Sequence, residues 1–161
     1  IRFIYPIPGI AWVPFAILWF GAGQSATVFA IFITAVFPML VNTMVGVSSL
    51  ENQYVRVMQV FGTRRWLAYR RVIIPGAFPF ILAGIRLGYG VGWRVIVGAE
   101  MLSAIAGLGY LIDRARWAFL VHEMIVGIIT IGIIGLTVES VVFDFLERKT
   151  LRRWGIGTQQ L

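Results

Sequence analysis

The chain has no cysteine, one histidine (His122) and one lysine (Lys149), and only 13% of its 161 residues are charged. Without cysteine there is no disulfide framework, no thiolate metal site and no cysteine nucleophile. One histidine does not make a protein-only zinc site. His122-Glu123 begins like the HExxH zinc-protease motif, but Val126 stands where the second histidine belongs. His122 reads as a polar residue on an amphipathic surface. Lys149 follows no glycine-rich loop, so the Walker A route to ATP hydrolysis is absent. Gly90-x-Gly92-x-x-Val95 lacks the last glycine of a dinucleotide fingerprint, and Gly46-x-Ser48-x-Leu50 is no nucleophile elbow. No catalytic residue, metal ligand or cofactor site is assigned, and the expectation is a protein that is not an enzyme.

What the chain does have is apolar length. It is 59% hydrophobic with a mean hydropathy of +0.86, whereas a soluble domain is about one quarter charged. A polytopic all-α membrane bundle is expected. The net charge of +7 raises nucleic acid as a partner. The arginines, however, sit beside apolar runs, where membrane topology places them, so no nucleic acid is expected.

Residues 1 to 20 are apolar but carry Pro6, Pro8 and Pro14, which argues against one regular spanning helix. A short helix over 10–20, too short to span, fits better. Gly21 to Gly23 break the chain, and Ser25 is placed to cap the next helix. Residues 25–47 carry no charge and predict a span, kinked at Pro38. Residues 77–101 predict a second span. In it Gly84, Gly88 and Gly92 recur every fourth residue, a stripe that lets another helix approach closely. Residues 102–123 predict a loop and a surface helix, and 124–146 a last span.

Between the first two spans lies a polar island, 51–75, holding Arg56, Arg64, Arg65, Arg70 and Arg71. Ser48 and Glu51 have capping-box spacing, which predicts a helix start there. Leu50, Tyr54, Val57, Met58 and Phe61 form one apolar helical stripe. Gly62 is a natural stop, and Thr63 can cap a second short helix over Arg64 to Arg71. The expectation is two short amphipathic helices joined by a glycine elbow. The stripe either docks a partner or packs on its own bundle. Island and tail (Arg148, Lys149, Arg152, Arg153) outweigh the Arg114/Arg116 loop in basic residues, so both are expected in the cytoplasm, and three spans close the parity.

Charge inside the spans is the other signal, because ionisable groups there are costly. Arg86 and Glu139 fall at comparable depth and could form a structural ion pair. Arg94 has only Glu100 near its depth, six residues on and off its face. Arg86, Arg94 and Glu100 are therefore candidates for a translocation path that makes an anion's passage less hostile.

The island resembles the cytoplasmic loop of ABC importer permeases, the binding-protein-dependent inner-membrane components. Their pattern is EAA, three residues, Gly, nine residues, then I-x-L-P. Here Gly62 is followed by nine residues and then Val72-Ile73-Ile74-Pro75. The EAA positions fall on Arg56, Val57 and Met58, a departure that bears on whatever contact the family's glutamate makes. PIPGIAWVPFAILWFGAG (6–23), FPMLVNTMVGV (37–47), Ala99-Glu100-Met101 and Gly107-Leu108-Gly109-Tyr110-Leu111-Ile112 resemble the branch for nitrate, bicarbonate, taurine and alkanesulfonates. So does the arginine-rich tail.

The resemblance implies a type I importer transmembrane domain over 1–161, without its first spans. It implies a multi-pass protein of the bacterial inner membrane, with loop 48–75 and tail 147–161 cytoplasmic. A second permease copy would complete the path, as a homodimer. Two ATPase subunits carrying ATP and magnesium would grip the coupling loop at Tyr54, Val57, Met58, Phe61, Gly62, Thr63, Arg64, Arg65 and Pro75. A periplasmic or lipid-anchored binding protein would deliver substrate. Membrane lipid would surround the whole. An ion-coupled secondary transporter is the alternative; it explains charges within spans but not a patterned cytoplasmic helix pair. A non-transporting scaffold would need no arginines within its spans.

Overall fold

The structure is a computed structural model, and it describes residues 4–50, 54 and 65–146. Among them every regular element is helical. The coupling-loop residues Val57, Met58, Phe61, Gly62, Thr63 and Arg64, and the tail, lie outside the described residues.

Prolines and glycines set the first boundaries. A single 3-10 turn, Gly9–Trp12, follows Pro6 and Pro8 and leads into α1, Val13–Phe20, with Pro14 in its first turn. Proline there lacks only an N–H that the helix start leaves unpaired anyway. α1 ends at Gly21, whose φ of +78° suits glycine. α2 then runs over Gln24–Leu50. Ser25 lies inside this helix, not ahead of it, so it does not cap as expected. Ser48 also lies inside, with its hydroxyl donating to the Val45 carbonyl at 3.1 Å. The capping-box reading therefore fails at Ser48. The hydroxyl found a local carbonyl within a helix already running, and no helix starts there. Pro38 sits mid-helix, and the Asn42 amide donates to its carbonyl at 2.9 Å.

After α3, Arg65–Ala68, the chain passes through a π-helical turn, Tyr69–Ile73, into α4, Ile74–Ser103. The second island helix is thus continuous with the span and not a separate piece. Pro75 explains the wide turn, because its ring excludes the regular bond to the Arg71 carbonyl. α5, Leu108–Trp117, is the surface helix, with Gly109, Ile112 and Ala115 buried and Arg114 and Arg116 toward its end. Phe119, at φ 57°, turns the chain into α6, Val121–Thr137, and a second π-helical turn, Val138–Phe143, comes after it. Gln24–Leu50, Tyr69–Ser103 and Val121–Leu146 are long and apolar enough to cross a membrane.

α2 and α4 form the centre of the fold, antiparallel and in close contact. Gly84 faces Met39 and Asn42, Gly88 faces Ala35 and Met39, and Gly92 faces Ile31. Phe80 packs on Gly46 from the opposite direction. The glycine stripe is therefore the seam, and α2 is its partner. At one end of that seam Thr27 and Ser103 share a buried hydrogen bond of 2.9 Å, and the Ser103 hydroxyl is 2.8 Å from the Ala99 carbonyl. Val13 of α1 joins Ala30 and Ala99 in a small core. α5 and α6 pack on the other side of α4, where Gly135 abuts Trp93 and Gly127 abuts Ile112.

Candidate functional site: the charged faces of the central span

The periodicity of α4 separates its polar side chains onto different faces. Arg86, Tyr89 and Trp93 look toward α6. The Arg86 guanidinium lies 3.8 Å from Glu139 and 3.7 Å from Asp144. Tyr89 stacks on Trp93, with ring centroids 5.8 Å apart, and meets Phe143 at 5.2 Å. Pairing of Arg86 with Glu139 follows from their depths. Asp144 is the partner that sequence reasoning missed. Five residues after Glu139, it would lie about 140° away in a regular α-helix. Only the π-helical turn brings both acids to one face.

Glu100 is on this side too, but it is occupied. Its carboxylate accepts the Gly109 backbone N–H at 2.7 Å, at the start of α5. Gly107, at φ +131°, leaves room beside it, since a Cβ there would stand 2.6 Å from the carboxylate. Glu100 thus caps α5, and an acid near a helix N-terminus is favourable. Its fit into the Gly107-Leu108-Gly109 turn gives this path candidate a structural duty. Replacing Glu100 by Ala removes an acceptor from a half-buried N–H. A loss of about 1–2 kcal/mol is expected, readable as a lower unfolding midpoint of the detergent-solubilised protein; an unchanged midpoint would show the cap to be dispensable.

Arg94 is on neither packed face. It is exposed, and among the described residues no acid lies within ion-pair distance of it. Leu87 and Gly90 share its side of α4. Leu87 is 53% exposed, and Gly90 has nothing within 4 Å of a Cβ built on it. Gly92, two residues before Arg94, packs against Ile31, about 10 Å from the Gln24 end of α2. Arg94 is therefore set well inside the spanning length.

The profile of the binding-protein-dependent transport system inner membrane components matches residues 1–155. The chain belongs to that family. Among curated relatives, a putative ABC transporter permease of Methanocaldococcus jannaschii is 41% identical over 140 residues, 86% of this chain and 52% of the relative. The nitrate import permease NrtB of Synechocystis is 36% identical over 141 residues, 88% of this chain and 51% of NrtB. The taurine permease TauC of Escherichia coli is 34% identical over 134 residues, 83% and 49% of the two chains. The chain spans about half the length of the curated relatives it matches. These inner membrane components are transport subunits rather than enzymes, and the three apolar helices fit an integral membrane protein.

The rest of this permease chain places the remaining predicted residues. Pro75 lies in the first turn of α4, and Pro79 lies within it. The Arg65 backbone lies in α3, and Tyr54 is exposed. A cavity of about 300 Å³ lies between the Ile4–Gly9 stretch, Trp12, Phe37, Pro38 and Val91. Of the two hydroxyl-bearing residues that line it, Tyr5 and Thr34, the Thr34 hydroxyl donates to the Ala30 carbonyl at 2.7 Å. None of the predicted path residues lines it.

Proposed function

We propose that this chain is a transmembrane subunit of an ATP-driven importer, contributing to the translocation path for a small anion and coupling to separate ATPase subunits. Family membership over 1–155 carries the importer class. The exposed guanidinium of Arg94 within a spanning helix, unpaired among the described residues, carries the anion. An uncompensated cation in an apolar span is expensive and marks a polar route or a ligand. Relatives named for nitrate import and for bicarbonate and taurine transport agree with that chemistry, taurine through its sulfonate group.

In this reading loop 48–75 and the tail face the cytoplasm of the inner membrane, and a second permease copy completes the path. A binding protein delivers substrate on the opposite side. ATP and magnesium reside in the ATPase partner. Charge repulsion keeps competing cations out, and Arg94 offsets part of the desolvation cost of an entering anion.

The decisive assay is uptake into proteoliposomes. Import should require ATP and a separate ATPase subunit, whereas uptake driven by an ion gradient alone would overturn the reading. In the same assay Arg94→Ala should lower anion uptake about ten-fold, the scale of ~1.4 kcal/mol, while leaving assembly with the ATPase intact. Wild-type uptake by that variant would remove Arg94 from the path.

A further inference from the structure

Val138–Phe143 is a π-helical turn within a span that is α-helical before it. Such turns are rare, interrupt the regular hydrogen-bond ladder and recur at functional sites. Here the turn has a definite geometric effect. Its i→i+5 bonding puts Glu139 and Asp144 on one face, so that both carboxylates reach Arg86. If the segment were α-helical throughout, one acid would stay with Arg86 and the other would point about 140° away.

A static clasp does not need the extra residue. Two acids four apart in an unbroken α-helix lie about 40° apart and could both reach one arginine. The extra residue gives something else, a second register for the helix end beyond it. The surroundings suit a change of register. The two ion contacts, at 3.7 and 3.8 Å, are longer than hydrogen bonds, and both acids are about half exposed. The Ser140 hydroxyl donates to the Leu136 carbonyl at 2.7 Å and lies 3.5 Å from that of Thr137, serving carbonyls at the turn. The Tyr89 hydroxyl is buried without a hydrogen-bond partner among the described residues, while its ring packs on Phe143.

We propose that Val138–Phe143 is a register switch in this permease. In the π register Arg86 holds both Glu139 and Asp144. In the α register Asp144 is released, and the Leu146 end turns by about 100° relative to the rest of the helix. Asp144 and Glu139 are positioning residues, since they set the orientation of the helix end and touch no substrate. The role of the switch in transport rests on the importer reading above.

Deleting Val141, which is exposed, places the two acids four apart. The clasp then forms in a plain α-helix and the second register is gone. The experiment uses the full permease with its ATPase subunits in liposomes. Spin labels at Leu136 and Leu146 flank the turn on one helix, so rigid-body motion of that helix leaves their separation unchanged. Wild type should show different separations without nucleotide and with ATP trapped. The Val141 deletion should show one separation in both conditions and at least ten-fold slower ATP-driven uptake, with unaltered assembly. Wild-type uptake by the deletion variant, or one separation for wild type in both conditions, overturns the switch. If the deletion variant fails to assemble, the wild-type separations decide alone. If the labels move but no ATP-dependent uptake occurs, the importer reading falls and the switch stands; if uptake occurs with static labels, the switch falls and the importer reading stands.

Discussion

Gly88→Leu is expected to leave the permease unable to assemble. A Cβ at Gly88 would stand 2.7 Å from the Ala35 carbonyl oxygen and 2.8 Å from the Met39 methyl. The methyl can swing away, but the carbonyl belongs to the backbone of α2, so the helices must separate. Even Gly88→Ala is expected to cost about 1–3 kcal/mol, as overpacking does in tight cores. Leucine adds three further carbons at the same point. Separation would also pull Gly84 from Met39 and Gly92 from Ile31, since all three share one seam.

The control lies on the same helix. Gly90 has nothing within 4 Å, so Gly90→Ala relieves a helix-interior glycine and should be neutral or stabilising by up to ~1 kcal/mol. Resistance to unfolding in detergent and the yield of folded membrane protein would report both. Equal behaviour of Gly88→Ala and Gly90→Ala would sink the seam argument.

The seam shows which parts of the structure the sequence could reveal. The i, i+4, i+8 glycine spacing states that some helix comes close, and the charge-free run 25–47 is long enough to be that helix. The register between them is not legible, because it depends on which apolar side chains interlock. Span positions are legible from charge depletion, which is strong over some twenty residues. Helix ends are less so. Ser25 and Ser48 have the residue type of a cap, but a serine inside a helix can also bond a carbonyl one turn back, as Ser48 does. Among the charged groups, Arg86 and Glu139 can be matched by depth alone. Asp144 cannot, because helical periodicity turns it away and no local signal announces a π-turn. Glu100 reads as a path residue because it is an acid in an apolar stretch. Its partner is the backbone N–H of Gly109, and a backbone group is invisible in a sequence. The adjacent Gly107-Leu108-Gly109 is the available hint that a side chain needs room there.

Gly62→Trp is expected to have the largest functional effect, separating ATP hydrolysis from import. The argument is one of energy supply. This chain has no Walker lysine, and in the proposed importer the free energy for transport enters through a contact with an ATPase subunit. In the proposed importer that contact is the elbow between the stripe ending at Phe61 and the helix that includes Arg65. That helix runs without interruption from Arg65 through the wide turn into α4. A push at its start is therefore delivered to the span that carries Arg94. If Gly62 stops the preceding helix as its sequence position predicts, it takes a left-handed conformation, which another L-amino acid adopts at a cost of roughly 1–2 kcal/mol. Tryptophan would also add a large side chain to the proposed docking surface.

The chain ahead of Arg65 would then meet the ATPase at a different angle, while the seam between α2 and α4, remote in sequence from Gly62, stays intact. The expected outcome is a complex that assembles and still hydrolyses ATP, with uptake per ATP reduced at least ten-fold. Gly62→Ala, whose methyl group adds little bulk, should fall between wild type and tryptophan. The measurement is the ratio of substrate imported to phosphate released in proteoliposomes. A tryptophan variant that keeps the wild-type ratio would show that the force enters elsewhere on the loop, and the assignment of Gly62 as the elbow would be lost.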